Sequence, residues 1–190
     1  VAGSRREAYA RTDLHPGETI STHVDHLLDG GFITEQHEQE FADVAHAILD
    51  CIHDEFDGVE FIRIHGDCHN GNLLDRLDEG LAIIDFDDMM MGPPVQDLWL
   101  LLPARLSDCR HEWDRMLEGY EQFREFDDFT ARLIEPLRAM RIIYFLAWCS
   151  HQVNDYRFQT MYPDWGGNAF WQREVNDLQA QLAFIKGAFH

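Results

Sequence analysis

Apolar residues recur at helical spacing through Phe41, Val44, Ala45, Ile48, Leu49 and Ile52. They form one stripe on a helix predicted to run from a cap at Thr34 to about Glu55. Glu35 and Glu38 in its opening turns suit the positive end of the helix dipole, and Asp57-Gly58 closes it. The period then drops to two. From Glu60 to His65 the chain alternates as a strand, with Phe61 and Arg63 on one side and Ile62 and Ile64 on the other. Gly66 to Gly71 is a polar loop. Asn72-Leu73-Leu74 and Leu81 to Asp85 flank the turn Asp78-Glu79-Gly80 and predict a β-hairpin. Gly92-Pro93-Pro94 interrupts regular structure. Helical spacing then resumes near Asp97 and continues in segments predicted at about 109–124, 130–156 and 168–187, with Pro136 tolerable in a first turn. Residues 1–20 carry Arg5, Arg6, Arg11 and His15-Pro16-Gly17 with little apolar periodicity, and read as a linker. The fold class is α+β and mostly α, with a small β-hairpin holding the polar loops.

Composition narrows the partners. The chain has 190 residues, 45% hydrophobic and 12% aromatic, enough to bury a sizeable core. Its 35 acidic side chains against 15 basic ones give a formal charge of −20, and a surface that acidic repels a nucleic-acid backbone. No apolar run approaches the roughly 18–20 residues that span a bilayer, so no membrane partner is expected. Cys51, Cys68, Cys109 and Cys149 are scattered, without the paired spacing of a zinc ribbon or a thioredoxin-like motif. They read as free thiols in a reducing cytoplasm. Lys186 is the sole lysine, so chemistry that needs a lysine deep in the fold is excluded for these residues.

The densest run of reactive groups is His65-Gly66-Asp67-Cys68-His69-Asn70-Gly71-Asn72, followed by Asp85. The predicted hairpin brings Asn72 and Asp85 side by side. An amide oxygen beside a carboxylate is a hard pair suited to Mg²⁺, which keeps its remaining sites for water and phosphate oxygens. Asp67 has no sequence-adjacent cation and is available to accept a proton from a hydroxyl. His65 reads as a structural lock on the loop; His69 serves either loop structure or substrate contact. A rival drawing makes His65, Asp67 and His69 a metal-ligand triplet on one strand face, but glycine at 66 opposes that extension. Asp87 and Asp88 are either outer-shell groups of a metal or a solvated acidic loop, and Met89 to Met91 are either gap-filling packing, the favoured reading, or a mobile activation-segment analogue.

The four-residue gap between Asp67 and Asn72 matches the catalytic loop of protein kinases, H-R-D-x-x-x-x-N, with a metal-binding aspartate beyond it. Here Gly66 replaces the arginine, and the later triplet is Asp85-Phe86-Asp87 instead of Asp-Phe-Gly. With those departures the sequence resembles the aminoglycoside phosphotransferase and choline kinase superfamily, where H-G-D-x-H-x-x-N and I-D-F-D occur. Three blocks in order, at His65–Asn72, Gly92–Trp99 and Ile134–Arg141, are similar to the bacterial stress response kinases of that superfamily. The resemblance implies a cytoplasmic kinase that moves the γ-phosphoryl group of ATP to a hydroxyl, foremost a protein serine or threonine. It makes Asp67 the catalytic base, Asn72 and Asp85 the holders of Mg²⁺ and through it ATP, and Asp97 a brace for the catalytic loop. A small-molecule kinase (aminoglycoside, choline or homoserine-like acceptor) is the alternative, ahead of a metal-dependent phosphohydrolase or a non-catalytic binding module. Kinases of this type also carry an ATP-positioning lysine in an N-terminal lobe. No residue here matches it, so residues 21–190 are expected to be the helical C-terminal lobe, with 1–20 as an interlobe linker. Alone they should be inactive and expose apolar surface that favours self-association.

Overall fold

A computed structural model describes residues 13–188. The stretch 1–12, with the three arginines of the expected linker, lies outside the described residues. The described residues divide into two compact units, one formed by 13–14 with Gly58–Ile134 and the other by His15–Asp57 with 135–188.

The second unit is helical. A π-type turn at Pro16–Ile20 leads into α1 (Ser21–Asp29), followed by α2 (Glu38–Ile52) and a 3₁₀ turn at His53–Phe56. Within the stretch expected to be a linker, Pro16–Ile20 is thus helical. The stripe on α2 is buried as its periodicity required: Phe41, Val44, Ala45, Ile48 and Ile52 are each 5% exposed or less. Burying a side chain of the larger kind stabilises by roughly 1.5–3 kcal/mol, far more than the exposed Gln39–Asp43 contact on the opposite face. Thr34 O accepts the His37 and Glu38 N–H groups at 2.8 and 3.1 Å, so a turn leads from Thr34 into the helix, while its Oγ1 meets the His37 ring at 2.9 Å and caps no backbone group. After α5 (Ile134–His151) and the short α6 (Tyr156–Met161), α7 (Asn168–Ala188) packs against α2, with Phe41 and Trp171 edge to face at 5.7 Å.

The first unit holds the polar loops. Strand β1 (Ile62–Ile64) pairs antiparallel with β4 (Met90–Gly92), Ile62 opposite Gly92 and Ile64 opposite Met90. Between them β2 (Leu73–Arg76) and β3 (Gly80–Ile83) form the predicted hairpin, Leu73 opposite Ile83 and Arg76 opposite Gly80. Met90 and Met91 of the methionine run thus lie in a strand, half-buried. Gly92 lies close against Ile64, and a Cβ there would meet Ile64 Cδ1 at 2.6 Å and push that side chain aside. Leu14 N–H donates to Met91 O at 2.8 Å on the other side. A short α3 (Val95–Trp99) and α4 (Arg110–Tyr120) follow, and a 3₁₀ segment Asp128–Leu133 precedes α5. Ile64, Val95, Leu98, Trp99, Trp113, Phe126 and Leu133 are buried in this unit.

Candidate active site

Every residue singled out between His65 and Asp97 lies in the first unit, on the loop after β1, the hairpin, the loop from it into β4, β4 itself and α3. The loop is fixed first by Asp97. Its Oδ2 accepts the His65 N–H at 2.7 Å and its Oδ1 the Gly66 N–H at 2.9 Å. Burial pushes this carboxyl above its ordinary value, and the two backbone donors oppose that shift. Gln96, buried on the same helix, donates from Nε2 to Gly66 O at 3.0 Å and accepts from Trp99 Nε1 at 2.9 Å. Gly66 itself has φ +85, and a Cβ on it would sit 2.3 Å from Asp88 O. Only glycine fits that conformation and that approach.

His65 ties the loop to the hairpin. Its Nε2 meets Ile84 O at 2.9 Å and its Nδ1 accepts the Asp67 N–H at 3.3 Å, which assigns the proton to Nε2. With both ring nitrogens engaged it is no metal ligand, and the triplet of His65, Asp67 and His69 fails as a metal site.

The loop presents Asp67 and Asn72 together. Asn72 is 7% exposed, and its Nδ2 donates to Asp67 O at 2.9 Å and approaches Asp67 Oδ2 at 3.5 Å. Among the described residues no donor reaches Asn72 Oδ1. The Ile84 N–H donates to Asn72 O at 3.0 Å, so the hairpin sets Asn72 opposite Ile84, one residue from Asp85. Asp85 is exposed and has φ +65, a left-handed conformation that aspartate tolerates better than most residues. That turn ends the strand alternation which would otherwise send its side chain to the pleat face away from Asn72. No described donor reaches its carboxylate either. Both are hard oxygens of the chemical kind that Mg²⁺ takes. Among the described residues no set of three His, Cys, Asp or Glu is arranged to hold a metal, so a protein-only cage is absent.

Cys68, buried within the same loop, is held as a thiol: burial, with Asp97 and Asp67 nearby, pushes it up to about 11. It is therefore no nucleophile at neutral pH. The Asp67 side chain in the same loop is partly open to solvent, 22% exposed.

The phosphotransferase enzyme family, APH, matches residues 13–137, a segment that contains this whole constellation. The chain belongs to that family. It is 41% identical over 139 residues to stress response kinase A of Salmonella paratyphi A, covering 73% of this chain and 41% of that protein. Against stress response kinase A of Escherichia coli K12 the identity is 44% over 125 residues, 66% of this chain and 38% of the relative. The Salmonella typhimurium relative, 41% identical over 139 residues across 73% of this chain and 41% of its own, carries the name serine/threonine protein kinase RdoA. This chain spans about two fifths of the length of the curated relatives it matches. A spectinomycin phosphotransferase solved with ADP and spectinomycin superposes with a TM-score of 0.54 at 17% identity, over 90% of this chain and 57% of its own, which shows a shared fold.

Within this APH-family loop, sequence reading singled out Asp67, Asn72, Asp85 and Asp97 but not Gln96. Gln96 stands beside Asp97 in the Gly92–Trp99 block, and a buried amide there had no pattern to mark its partner, a backbone carbonyl 30 residues upstream. The role of Gly66 was legible only as a departure from arginine; its steric necessity needed the approach of Asp88.

Proposed function

We propose that the protein is an ATP-dependent kinase of the APH phosphotransferase family whose acceptor is a serine or threonine hydroxyl of a protein, acting in the cytoplasm. The observation that carries the reading is the braced loop that holds Asp67 against Asn72 beside the end of the hairpin. In this reading Asp67 orients the acceptor hydroxyl and takes its proton as the oxygen attacks. The new O–P bond forms at the γ-phosphorus while the bond to the β-phosphate oxygen breaks, and ADP leaves. Asn72 Oδ1 and an Asp85 carboxylate oxygen would hold Mg²⁺, which when bound neutralises phosphate charge. His65, Asp97 and Gln96 keep the loop in place without touching the substrate. No described helix is long and apolar enough to cross a membrane.

The ATP-positioning lysine of such kinases has no counterpart at Lys186, so in this reading the clamp on the nucleotide comes from outside these 190 residues. These residues alone should bind Mg-ATP poorly and turn over negligibly, while the full-length protein is active. In the full-length protein Asp67→Asn should lower turnover by a factor of about 10²–10⁴, the usual worth of a positioned base. A phosphate-transfer assay on the three samples decides. Robust activity from the 190 residues alone refutes the external clamp, and an unaffected Asp67→Asn variant refutes the mechanism. The same residues would serve a small-molecule acceptor, and an acceptor screen with the full-length protein separates the two substrates. Leu74, Leu77, Leu81, Ile83, Ile84 and Phe86 leave the hairpin region apolar and exposed, which supports self-association of these residues. Sedimentation should then show a concentration-dependent mass that Leu81→Glu abolishes; a strict monomer would contradict it.

A further inference from the structure

His69 stands at the N-terminus of the 3₁₀ turn Asn70–Asn72 in an extended conformation. Its Nδ1 accepts the Gly71 N–H at 2.9 Å. A neutral imidazole that accepts at Nδ1 carries its proton on Nε2. That Nε2 lies 3.4 Å from Asp67 Oδ2. The ring has this position because residue 71 is glycine: a Cβ there would fall 2.7 Å from His69 Cε1. The backbone closes the same knot, with His69 N–H donating to Asp67 O and Asn72 N–H to His69 O, each at 2.9 Å. Asp67 Oδ1 is turned into the protein. The oxygen that remains for an acceptor is Oδ2, approached from one side by Asn72 Nδ2 and from another by His69 Nε2.

We propose that His69 is a positioning residue that holds the Asp67 carboxylate through its Nε2–H, and so sets the direction from which Oδ2 meets the acceptor hydroxyl. The proposal rests on the reading of Asp67 as the proton acceptor. A carboxylate on a two-torsion side chain swings away from the reaction line when a guiding donor is lost, and a displacement of about 1 Å costs up to about a hundredfold in rate. Contacts of this kind are often long without substrate and tighten in the productive complex.

The two ring nitrogens have separate duties, and two amide substitutions separate them. In His69→Asn the side-chain oxygen reaches the Nδ1 position and keeps the Gly71 bond, but nothing replaces Nε2. In His69→Gln the longer amide places an NH₂ near the Nε2 position. In the full-length protein His69→Asn should lower kcat by about ten- to a hundredfold, with KM for ATP within about twofold, and His69→Gln should recover most of it. Against an Asp67→Asn background, His69→Asn should cost little more, because the group it positions is gone. A loss that is equal in both backgrounds marks a purely structural histidine and overturns the proposal, even if the variant is less stable. So does wild-type turnover in His69→Asn. If Asp67→Asn itself keeps full activity, the reading of Asp67 fails; if Asp67→Asn is inactive while His69→Asn is normal, only the role of His69 does.

Discussion

Replacing Asp97 by asparagine takes away one acceptor and adds one donor where two backbone N–H groups converge. The wild-type carboxylate meets the His65 N–H at 2.7 Å and the Gly66 N–H at 2.9 Å. Asparagine keeps one of these through Oδ1 and turns Nδ2 against the other, leaving a partly buried donor unmet at a cost of about 1–3 kcal/mol. Removal of the charge works the other way, since burial already disfavours the ionised form. Alanine loses both acceptors with the same relief of charge, so the order of stability should be wild type, then Asp97→Asn, then Asp97→Ala. For a chain of this size each kcal/mol moves the melting temperature by roughly 2–4 °C, which puts Asp97→Ala several degrees below wild type. Hydrogen exchange gives the local signal: the His65 and Gly66 amides should be protected in wild type and exchange fast in Asp97→Ala. The pH dependence has a definite sign. A carboxyl raised above its ordinary 3.8 contributes stability that is fully present below that value and lost as pH rises through the folded value. The advantage of wild type over Asp97→Asn should therefore shrink as pH rises through that window. Wild-type melting of both variants, with unchanged exchange at His65 and Gly66, would refute the brace.

Gly66→Ala should destabilise by more than about 2 kcal/mol, since a left-handed alanine alone costs about 1–2 kcal/mol and its Cβ meets Asp88 O at 2.3 Å; a variant that melts like wild type would count against the close approach. Burial, with His26 and His151 nearby, holds the His23 imidazole below its ordinary 6.5. Its neutral form is favoured on folding, so its contribution is complete above about pH 6.5 and lost as pH falls below that value. Thermal melts between pH 7.5 and 5.5 should fall more steeply for wild type than for His23→Gln; parallel curves would remove His23 as a cause.

Elements whose residues answer to one another nearby were legible. The buried face of α2 follows from five apolar positions at helical spacing, and the hairpin from two short runs about Asp78-Glu79-Gly80. Strand β4 was not, because Met90, Met91 and Gly92 carry no strand signal of their own. Their conformation comes from pairing with Ile62–Ile64, nearly 30 residues earlier. Helix α1 escaped for a related reason: Val24 and Leu27 are its buried residues, too few to show a period. Thr34 misled in the opposite direction, since a residue suited to capping spends its hydroxyl on the His37 ring.

The site divides along the same line. Asp67, Asn72 and Asp85, the residues proposed to act on the substrate and metal, stood out in the sequence because chemistry fixes their types and a hairpin fixes their spacing. The groups that orient them act through backbone atoms, and a backbone N–H or carbonyl has no letter in the sequence. Asp97 serves two amides, Gln96 a carbonyl, and His65 joins an amide on its own loop to a carbonyl at the end of the hairpin. Loss of any one leaves Asp67, Asn72 and Asp85 present but aimed by fewer constraints, and in the proposed phosphoryl transfer positioning and charge do most of the work. Such variants should therefore lose rate before they lose the reactive groups' contacts with one another. That makes Gln96→Leu informative: it keeps Asp67, Asn72 and Asp85 while freeing Gly66 O and Trp99 Nε1. In the full-length protein its kcat should fall by at least about tenfold with Asp67→Asn as the floor. Wild-type turnover in Gln96→Leu would mean that Asp97 alone suffices to hold the loop.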